Sequence, residues 1–329
     1  GQVDWGHFGH LQIGKAKRPL MAFVMVLSWS RQIFLRFYLN AQMENFLRGH
    51  VSAFETWNGL PQVLLYDNLK SAVLERQGDA IRFHPALLAL SAHYRFEPRP
   101  VAVARGNEKG RVERAIRYIR DNFFAGRDWQ TLDDLNAQAD EWCQGVSANR
   151  RCPQNQELLV KEAFLQEQPR LTSLPDNPFD TRERQIVRAQ KTPYIRFDLN
   201  DYSIPHQQAQ KTLHVDADLQ QVRILASDGL IAQHLRSFAK GEQIEQQEHI
   251  NALWLAKTQA KLHRGQDRLS QASDHIPILL QQSIERGHVL KTTVRLLNEY
   301  LDYYGRVELH IAVGEALKQQ SPYPQAVQQ

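Results

Sequence analysis

The hydrophobic positions of the first forty residues predict β-strands. Apolar runs around Val3, over Leu20–Leu27 and over Ile33–Leu39 are separated by polar turns, which indicates a three-stranded meander. From Met43 the apolar residues recur at helical spacing, and the Gly and Pro signals at 58–61 end the predicted helix. The chain therefore begins with three strands and one helix.

The elements that follow predict an α/β layer fold. The short apolar run Val63–Tyr66 suits a buried strand that ends at Asp67, and the crossover helix before it makes this strand parallel to the first one. We predict a helix over Pro85–Tyr94, a strand over Phe96–Val103 and a long helix over Asn107–Phe124. This order is typical of a mixed sheet flanked by helices.

The pattern changes after Trp129. A polar, glutamine-rich helical stretch leads to a linker over Pro169–Pro178, and five short strands between Lys191 and about Glu242 imply a small β-barrel. The remainder of the sequence is helical. We predict an α/β domain over residues 1–130, a helical connector and linker over 131–185, a small β-barrel over 186–250 and a helical C-terminal region over 251–329.

Composition narrows the class of protein only in part. Lys and Arg exceed Asp and Glu by 40 to 36 and the pI is about 9.0, a mild excess that suggests an anionic partner. Cys143 and Cys152 form neither a CxxC pair nor a disulfide framework, so zinc and thiol chemistry are not indicated. No apolar run or leader indicates a membrane span or secretion, so we expect a soluble, cytoplasmic protein. Because the sequence opens at Gly1 without Met, we also expect an upstream domain to be missing.

Two strand acids are candidates for metal chemistry on phosphodiesters. Such chemistry needs carboxylates that hold two ions about 3.5–4 Å apart, and Mg²⁺ prefers oxygen ligands. Asp4 lies between Val3 and Trp5 in the first strand, where a carboxylate is unfavourable unless it is paired, solvated or metal-bound. Asp67 ends a strand predicted to be parallel to the first, so both acids are expected near one end of the sheet.

A third carboxylate is expected from the helix Asn107–Phe124. Glu113 falls on the border of the apolar stripe of this helix, beside several basic residues. Glu108 is a rival, but it lies in the first turn, where a carboxylate merely suits the helix dipole. Each acid also has an ordinary alternative: a hydrogen-bonding strand residue, a helix N-cap at Asp67, or an ion pair of Glu113 with Arg117.

Three short motifs carry a family resemblance. The segments 2–6 (QVDWG), 65–68 (LYDN) and 109–114 (KGRVER) resemble the three acidic motifs of retroviral-integrase-type transposases, and most closely those of IstA-type insertion-sequence transposases. The likeness covers about residues 1–130, and the segment 194–203 resembles the opening of the β-barrel found downstream in that group. The third motif includes Glu113 but not Glu108.

The resemblance implies a fold, an activity and partners. It implies an RNase H-like catalytic domain in which Asp4, Asp67 and Glu113 hold two Mg²⁺ or Mn²⁺ ions. The implied enzyme is a DDE transposase that cleaves transposon ends and joins their 3′-OH groups to target DNA. It would act as a homo-oligomer and together with a helper ATPase. It would act in bacteria, associated with the nucleoid when bound to DNA. A DNA-binding architectural protein derived from a transposase, and an RNase H-like nuclease without strand transfer, are the alternatives.

Basic residues predict where DNA lies. They occur around the predicted third acid, in the first turn and in the segment that enters the predicted barrel. For that last segment the alternative is a linker whose charged side chains are merely exposed to solvent. The barrel is the expected DNA-binding module, and the C-terminal helices are expected to serve oligomerisation or partner contact. The predicted DNA-binding residues are Lys109, Arg111, Arg114, Arg117, Arg120, Lys15, Lys17, Arg18, Arg184, Arg188, Lys191 and Arg196.

Overall fold

The computed structural model describes residues 1–66, 73–77, 80–101 and 106–328, with the backbone alone over 73–77, 80–81 and 106–109. The chain divides into two compact units. The division into four regions made from the sequence stays a prediction. The first unit comprises Gly1–Val187, Arg196–Asp201 and Thr212–Ile244, and the second comprises Arg188–Ile195, Tyr202–Lys211 and Glu245–Gln329.

Strands and helices alternate through the first part of the chain and helices dominate its end. The strands are β1 Gln2–Ile13, β2 Ala16–Val26, β3 Ile33–Tyr38, β4 Val63–Tyr66, β5 Val73–Gln77, β6 Ala80–Phe83, β7 Glu97–Pro100, β8 Arg151–Cys152, β9 Asn155–Leu159, β10 Glu183–Arg188, β11 Tyr194–Phe197, β12 Asn200–Ser203, β13 Thr212–Ala217, β14 Gln221–Ala226, β15 Gly229–Leu235 and β16 Gln243–Ile244.

The α-helices are interrupted by short stretches of π- and 3-10-helix. The α-helices are α1 Met43–Trp57, α2 Pro85–Tyr94, α3 Gly106–Tyr118, α4 Leu132–Trp142, α5 Val160–Glu167, α6 Gln247–Ala272, α7 Ile276–Glu285, α8 Leu290–Tyr304, α9 Arg306–Lys318 and α10 Pro324–Gln328. The π-helices are Ile119–Phe124 and Cys143–Ser147, and the 3-10 helices are Gln168–Arg170 and His206–Gln208.

The central sheet has the order β3-β2-β1-β4-β7. β1 is antiparallel to β2 and parallel to β4, so the predicted meander, crossover helix and parallel strand are confirmed. β7 is also parallel to β4, and it is shorter than the predicted strand. The long predicted helix is α3 together with the π-helix that continues it. The result is the mixed sheet flanked by helices that the sequence predicts.

Alternate residues of the strands bury opposite faces of this sheet. Val3, Phe23 and Met25 lie in the core that also contains α1 and α2. Val24 and Val26 belong to the core on the other face, with residues of α3 and α4. Because each face buries several aromatic and aliphatic side chains worth about 1.5–3 kcal/mol each, the sheet is held firmly between its helices.

The strands near the predicted barrel form two sheets. One has the order β10-β13-β14-β15 and the other β11-β12-β16. The five predicted strands are present, but in the described part of the chain they form these two sheets rather than one closed barrel. The β-barrel is therefore not confirmed. The first strand of the larger sheet, β10, lies in a segment whose basic residues the sequence left open between a DNA-binding run and a linker.

The second unit contains the C-terminal helices. Its core includes Leu269, Ile276 and Leu279, together with Leu297 of α8 and Val313 of α9. The 3–4 spacing of apolar residues in α8 therefore serves packing within this bundle. Among the residues that the structure describes, no helix is both long and apolar enough to span a membrane.

Candidate active site

Helix α3 lies over one face of β1 and is anchored there at two points. Gln2 is buried, and its Oε1 accepts a hydrogen bond from the backbone N–H of Val112 at 3.1 Å. Ile116 approaches Gly6 so closely that a Cβ at Gly6 would lie 3.2 Å from Ile116 Cγ2. Because alternate residues of a strand share a face, Asp4 lies on this same face between the two anchors.

Asp4 is half-buried at this interface. Its cross-strand partner is Val24, which belongs to the core on the α3 side of the sheet. Asp4 Oδ1 accepts a hydrogen bond from the backbone N–H of Trp5 at 2.8 Å. The strand thus turns a carboxylate toward α3, whereas Val3 and Trp5 point to the opposite core.

Glu113 stands at the edge of the same interface. It follows Val112 directly and precedes Ile116 by three positions, so at about 100° per residue it borders the buried face of α3 on the side of Ile116. Its side chain is exposed. Asp4 thus lies within the helix–strand contact, and the helical period places Glu113 at the border of that contact, with its side chain exposed to solvent.

The side chains of two acids considered for the site, one predicted and one its rival, lie outside the described part of the chain. Asp67 lies outside the described residues, and of Glu108 only the backbone, within α3, is described. The residue before Asp67, Tyr66, pairs with Val3, the residue before Asp4. Among the described residues there is no group of three His, Cys, Asp or Glu side chains arranged to hold a metal ion. The choice between Glu113 and Glu108 stays a prediction.

The end of β4 is fixed by a buried hydrogen bond that the sequence did not reveal. His50 Nε2 lies 2.9 Å from the Tyr66 hydroxyl, and His50 Nδ1 lies 2.7 Å from the carbonyl oxygen of Phe46. Burial lowers the pKa of His50 to about 4, so the imidazole is neutral. Because a carbonyl only accepts, Nδ1 carries the proton and Nε2 accepts from Tyr66. This pair holds the residue that immediately precedes Asp67.

The predicted basic residues near Glu113 lie on α3 and on the π-helix that continues it. Arg114, Arg117 and Arg120 are exposed, Arg111 is half-buried, and the side chain of Lys109 is outside the described part. Arg120 donates a hydrogen bond from Nη2 to the carbonyl of His7 at 3.0 Å and lies over the Phe8 ring. The charged side chains described in this segment of the chain are therefore mostly cationic.

The other predicted DNA-binding residues occupy different environments. Lys15 and Lys17 are exposed, whereas Arg18 is only 13% exposed and pairs with Asp198 at 2.9 Å. Arg184 and Arg196 are exposed but ion-paired, with Asp180 and Asp201 respectively. Arg188 and Lys191 are exposed.

Comparison with known proteins identifies relatives among insertion-sequence transposases. The chain is 29% identical over 265 residues to the transposase for insertion sequence element IS21 of Pseudomonas aeruginosa, covering 80% of this chain and 67% of the relative. It is 30% identical over 243 residues to the transposase for insertion sequences IS1326/IS1353 of the same organism, covering 73% of this chain and 47% of the relative. The chain thus spans about half to two thirds of the length of these relatives.

A family match and a structural likeness accompany these relatives. Residues 174–246 match the family described as Mu transposase, C-terminal domain. The HTLV-2 integrase catalytic core domain in complex with magnesium is 13% identical, with a TM-score of 0.35 over 50% of this chain and 93% of that one. Over most of its length the chain is similar to transposases of insertion sequences, a class of polynucleotidyl transferases.

Proposed function

We propose that the chain is the catalytic part of a DDE transposase with an RNase H-like core. In this proposal it cleaves transposon DNA ends and joins their 3′-OH groups to target DNA, using two Mg²⁺ or Mn²⁺ ions held by Asp4, Asp67 and Glu113. The observation that supports it most is the contact between β1 and α3, in which Asp4 lies between two anchors and Glu113 borders the same surface.

The side chains present suit such ions. Asp4 and Glu113 offer carboxylate oxygens, the ligand type that Mg²⁺ and Mn²⁺ prefer. The half-buried setting of Asp4 beside an apolar core makes the charged form of its carboxylate costly, and a bound metal ion would offset that cost. When bound, two such ions stabilise the charge on the attacking and the leaving oxygen of a phosphodiester.

The chain's own residues hold this arrangement in place. The Gln2–Val112 hydrogen bond and the close approach of Ile116 to Gly6 fix the helix that carries Glu113. The Tyr66–His50 hydrogen bond fixes the end of the strand that leads to Asp67. The arginines of α3 supply positive charge for the DNA backbone, which positions a duplex without reading its sequence.

The partners follow from the relatives. Because these are named transposases of insertion sequences, we propose transposon ends and target DNA as substrates and a homo-oligomer as the active assembly. A helper ATPase is proposed from the family resemblance. We further propose the bacterial cytoplasm, with nucleoid association when the protein is bound to DNA.

A strand-transfer assay with precut transposon ends and Mg²⁺ tests the function. We expect Asp4→Asn, Asp67→Asn and Glu113→Gln each to reduce joining by at least about 100-fold. Asp121→Asn is the matched control, because Asp121 is an exposed acid just beyond α3 and should leave activity unchanged.

The assay also separates the alternatives. Full activity in both Asp67→Asn and Glu113→Gln would reject the assigned acids, and loss of activity in Glu108→Gln with retention in Glu113→Gln would replace one by the other. Cleavage without joining would indicate a nuclease. DNA binding with neither activity would indicate an architectural protein.

A further inference from the structure

Two arginines meet at the turn between β2 and β3. Arg31 has a φ of 63°, in the left-handed region, and its carbonyl oxygen accepts a hydrogen bond from Arg150 Nη2 at 2.8 Å. The Arg150 guanidinium also lies 4.8 Å from the ring centroid of Tyr118, the last residue of α3. Arg150 therefore ties this turn to the helix that carries Glu113.

The two side chains are incompletely hydrogen-bonded. Arg31 Nη1 and Arg150 Nε are buried and have no hydrogen-bond partner among the described residues. These two buried atoms are themselves closed to a ligand, but both residues are only half-buried, so part of each side chain is open to an acceptor from outside the chain. The nearby carboxylate of Glu167 is engaged elsewhere, because it accepts the backbone N–H groups of Ser30 and Trp29 at 3.0 and 3.4 Å.

Arg111 and Arg114 of α3 complete an arginine cluster with Arg31 and Arg150. Burial lowers the pKa of Arg31 to about 10, and the positive charges of Arg111 and Arg114 add to that lowering. No ion pair joins any of the four to a carboxylate in the part of the chain that the structure describes. Four cations thus lie near one another with no ion pair to an acid among the described residues, as in a site for an anion.

The cluster begins beside the candidate active site. Arg111 and Arg114 lie two positions before and one position after Glu113 on α3. A guanidinium presents a planar fork of donors that matches the oxygens of a phosphate. The sequence indicated only the two arginines of the helix, because the turn and Arg150 reach them through the fold.

We propose that Arg31, Arg111, Arg114 and Arg150 form a binding site for a backbone phosphate of DNA, a few nucleotides from the bond that reacts. The identity of the ligand as DNA rests on the proposed function. The site fixes the strand relative to Glu113 and reads no base, since phosphate contacts position a duplex without specifying sequence.

The test measures DNA binding without catalysis. Fluorescence anisotropy with a labelled 30-base-pair duplex in EDTA, repeated across a salt series, gives the slope of log K against log salt concentration. We expect Arg31→Gln and Arg150→Gln each to lower the magnitude of that slope by about 0.9, the value for one lost phosphate contact, and Arg31→Lys to restore most of it. Arg151→Gln is the matched control, because Arg151 is adjacent, exposed and bonded to the carbonyl of Glu157.

The outcomes are distinct from those of the strand-transfer assay. Wild-type slopes in Arg31→Gln and Arg150→Gln, or an equal loss in Arg151→Gln, would overturn the phosphate site. Arg31→Gln is the decisive variant, since it leaves the backbone carbonyl that Arg150 holds, and thermal melting verifies that it folds. Because the measurement needs neither metal nor cleavage, the site stands or falls independently of Asp4, Asp67 and Glu113.

Discussion

Acidification should destabilise the chain through His50, the buried histidine behind the candidate site. His50 packs among the aromatic rings of Phe23, Phe46, Phe54 and Phe96 and accepts a hydrogen bond from Tyr66. Burial lowers its pKa from 6.5 to about 4. The folded chain therefore keeps this imidazole neutral under conditions in which the unfolded chain protonates it.

The magnitude follows from the two pKa values. Above pH 6.5 both states are neutral at this group, so His50 adds no pH dependence to the free energy of unfolding. Between pH 6.5 and about 4 the unfolded chain binds the proton and the folded chain does not, so stability falls by about 1.4 kcal/mol per pH unit. The total loss is about 3 kcal/mol.

The assay compares the chain with His50→Gln. The glutamine amide can donate to the Phe46 carbonyl and accept from the Tyr66 hydroxyl, yet it does not titrate. Urea unfolding at pH 7.0, 5.5 and 4.5 gives the free energy of unfolding of both proteins, and their difference cancels the other titrating groups. We expect the parent to lose stability relative to His50→Gln over the two lower pH values. Parallel stability curves would refute the buried, neutral imidazole.

Two further predictions concern packing and buried charge. Gly6→Ala should lower the free energy of unfolding by about 1–3 kcal/mol and reduce strand transfer, because the added Cβ would lie 2.7 Å from the ring of Phe8 and 3.2 Å from Ile116. Gly145→Ala is the matched control: nothing lies within 4 Å of its added Cβ, so it should not lower Tm in thermal melts. Arg236→Leu should lower the free energy of unfolding in urea by about 3 kcal/mol, because Arg236 is the shared ion-pair partner of the largely buried carboxylates of Glu183 and Asp198. Arg223→Leu is the matched control, because it breaks a more exposed ion pair with Asp218 that is worth at most about 1 kcal/mol. Equal losses in either matched pair would contradict the packing described.

The central sheet could be predicted because its signals are local. The strand runs, the helix over Met43–Trp57 and the following short strand each carry their own hydrophobic pattern, and a crossover helix dictates parallel pairing. The hairpin Val73–Gln77 with Ala80–Phe83 was missed, because its short strands mix charged and apolar residues without strict alternation. Strand β10 was missed for a similar reason, since most of its residues are polar.

Local sequence does not determine whether short strands close into a barrel. Each predicted short strand appears, but pairing in two sheets instead of a barrel depends on long-range contacts that strand patterns do not encode. The same limit applies to Arg18. The sequence predicts Arg18 as a DNA-binding residue of the first turn, yet its side chain forms an ion pair with Asp198, 180 positions away.

The candidate site was predictable only as a set of acids. The alternation of β1 separates Asp4 from its apolar neighbours, and the helical period places Glu113 at the edge of a buried face. The contacts that position them join residues far apart in sequence: Gln2 meets Val112, and His50 meets Tyr66. Such pairings follow from the assembled fold, so sequence patterns alone do not reveal them.

The most direct test of the account is to locate manganese in crystals of the chain bound to a precut transposon end. An anomalous difference map is expected to show two peaks about 3.5–4 Å apart, within coordination distance of Asp4, Asp67 and Glu113. Peaks coordinated by Glu108 in place of Glu113, or peaks away from the contact between β1 and α3, would contradict the proposed site.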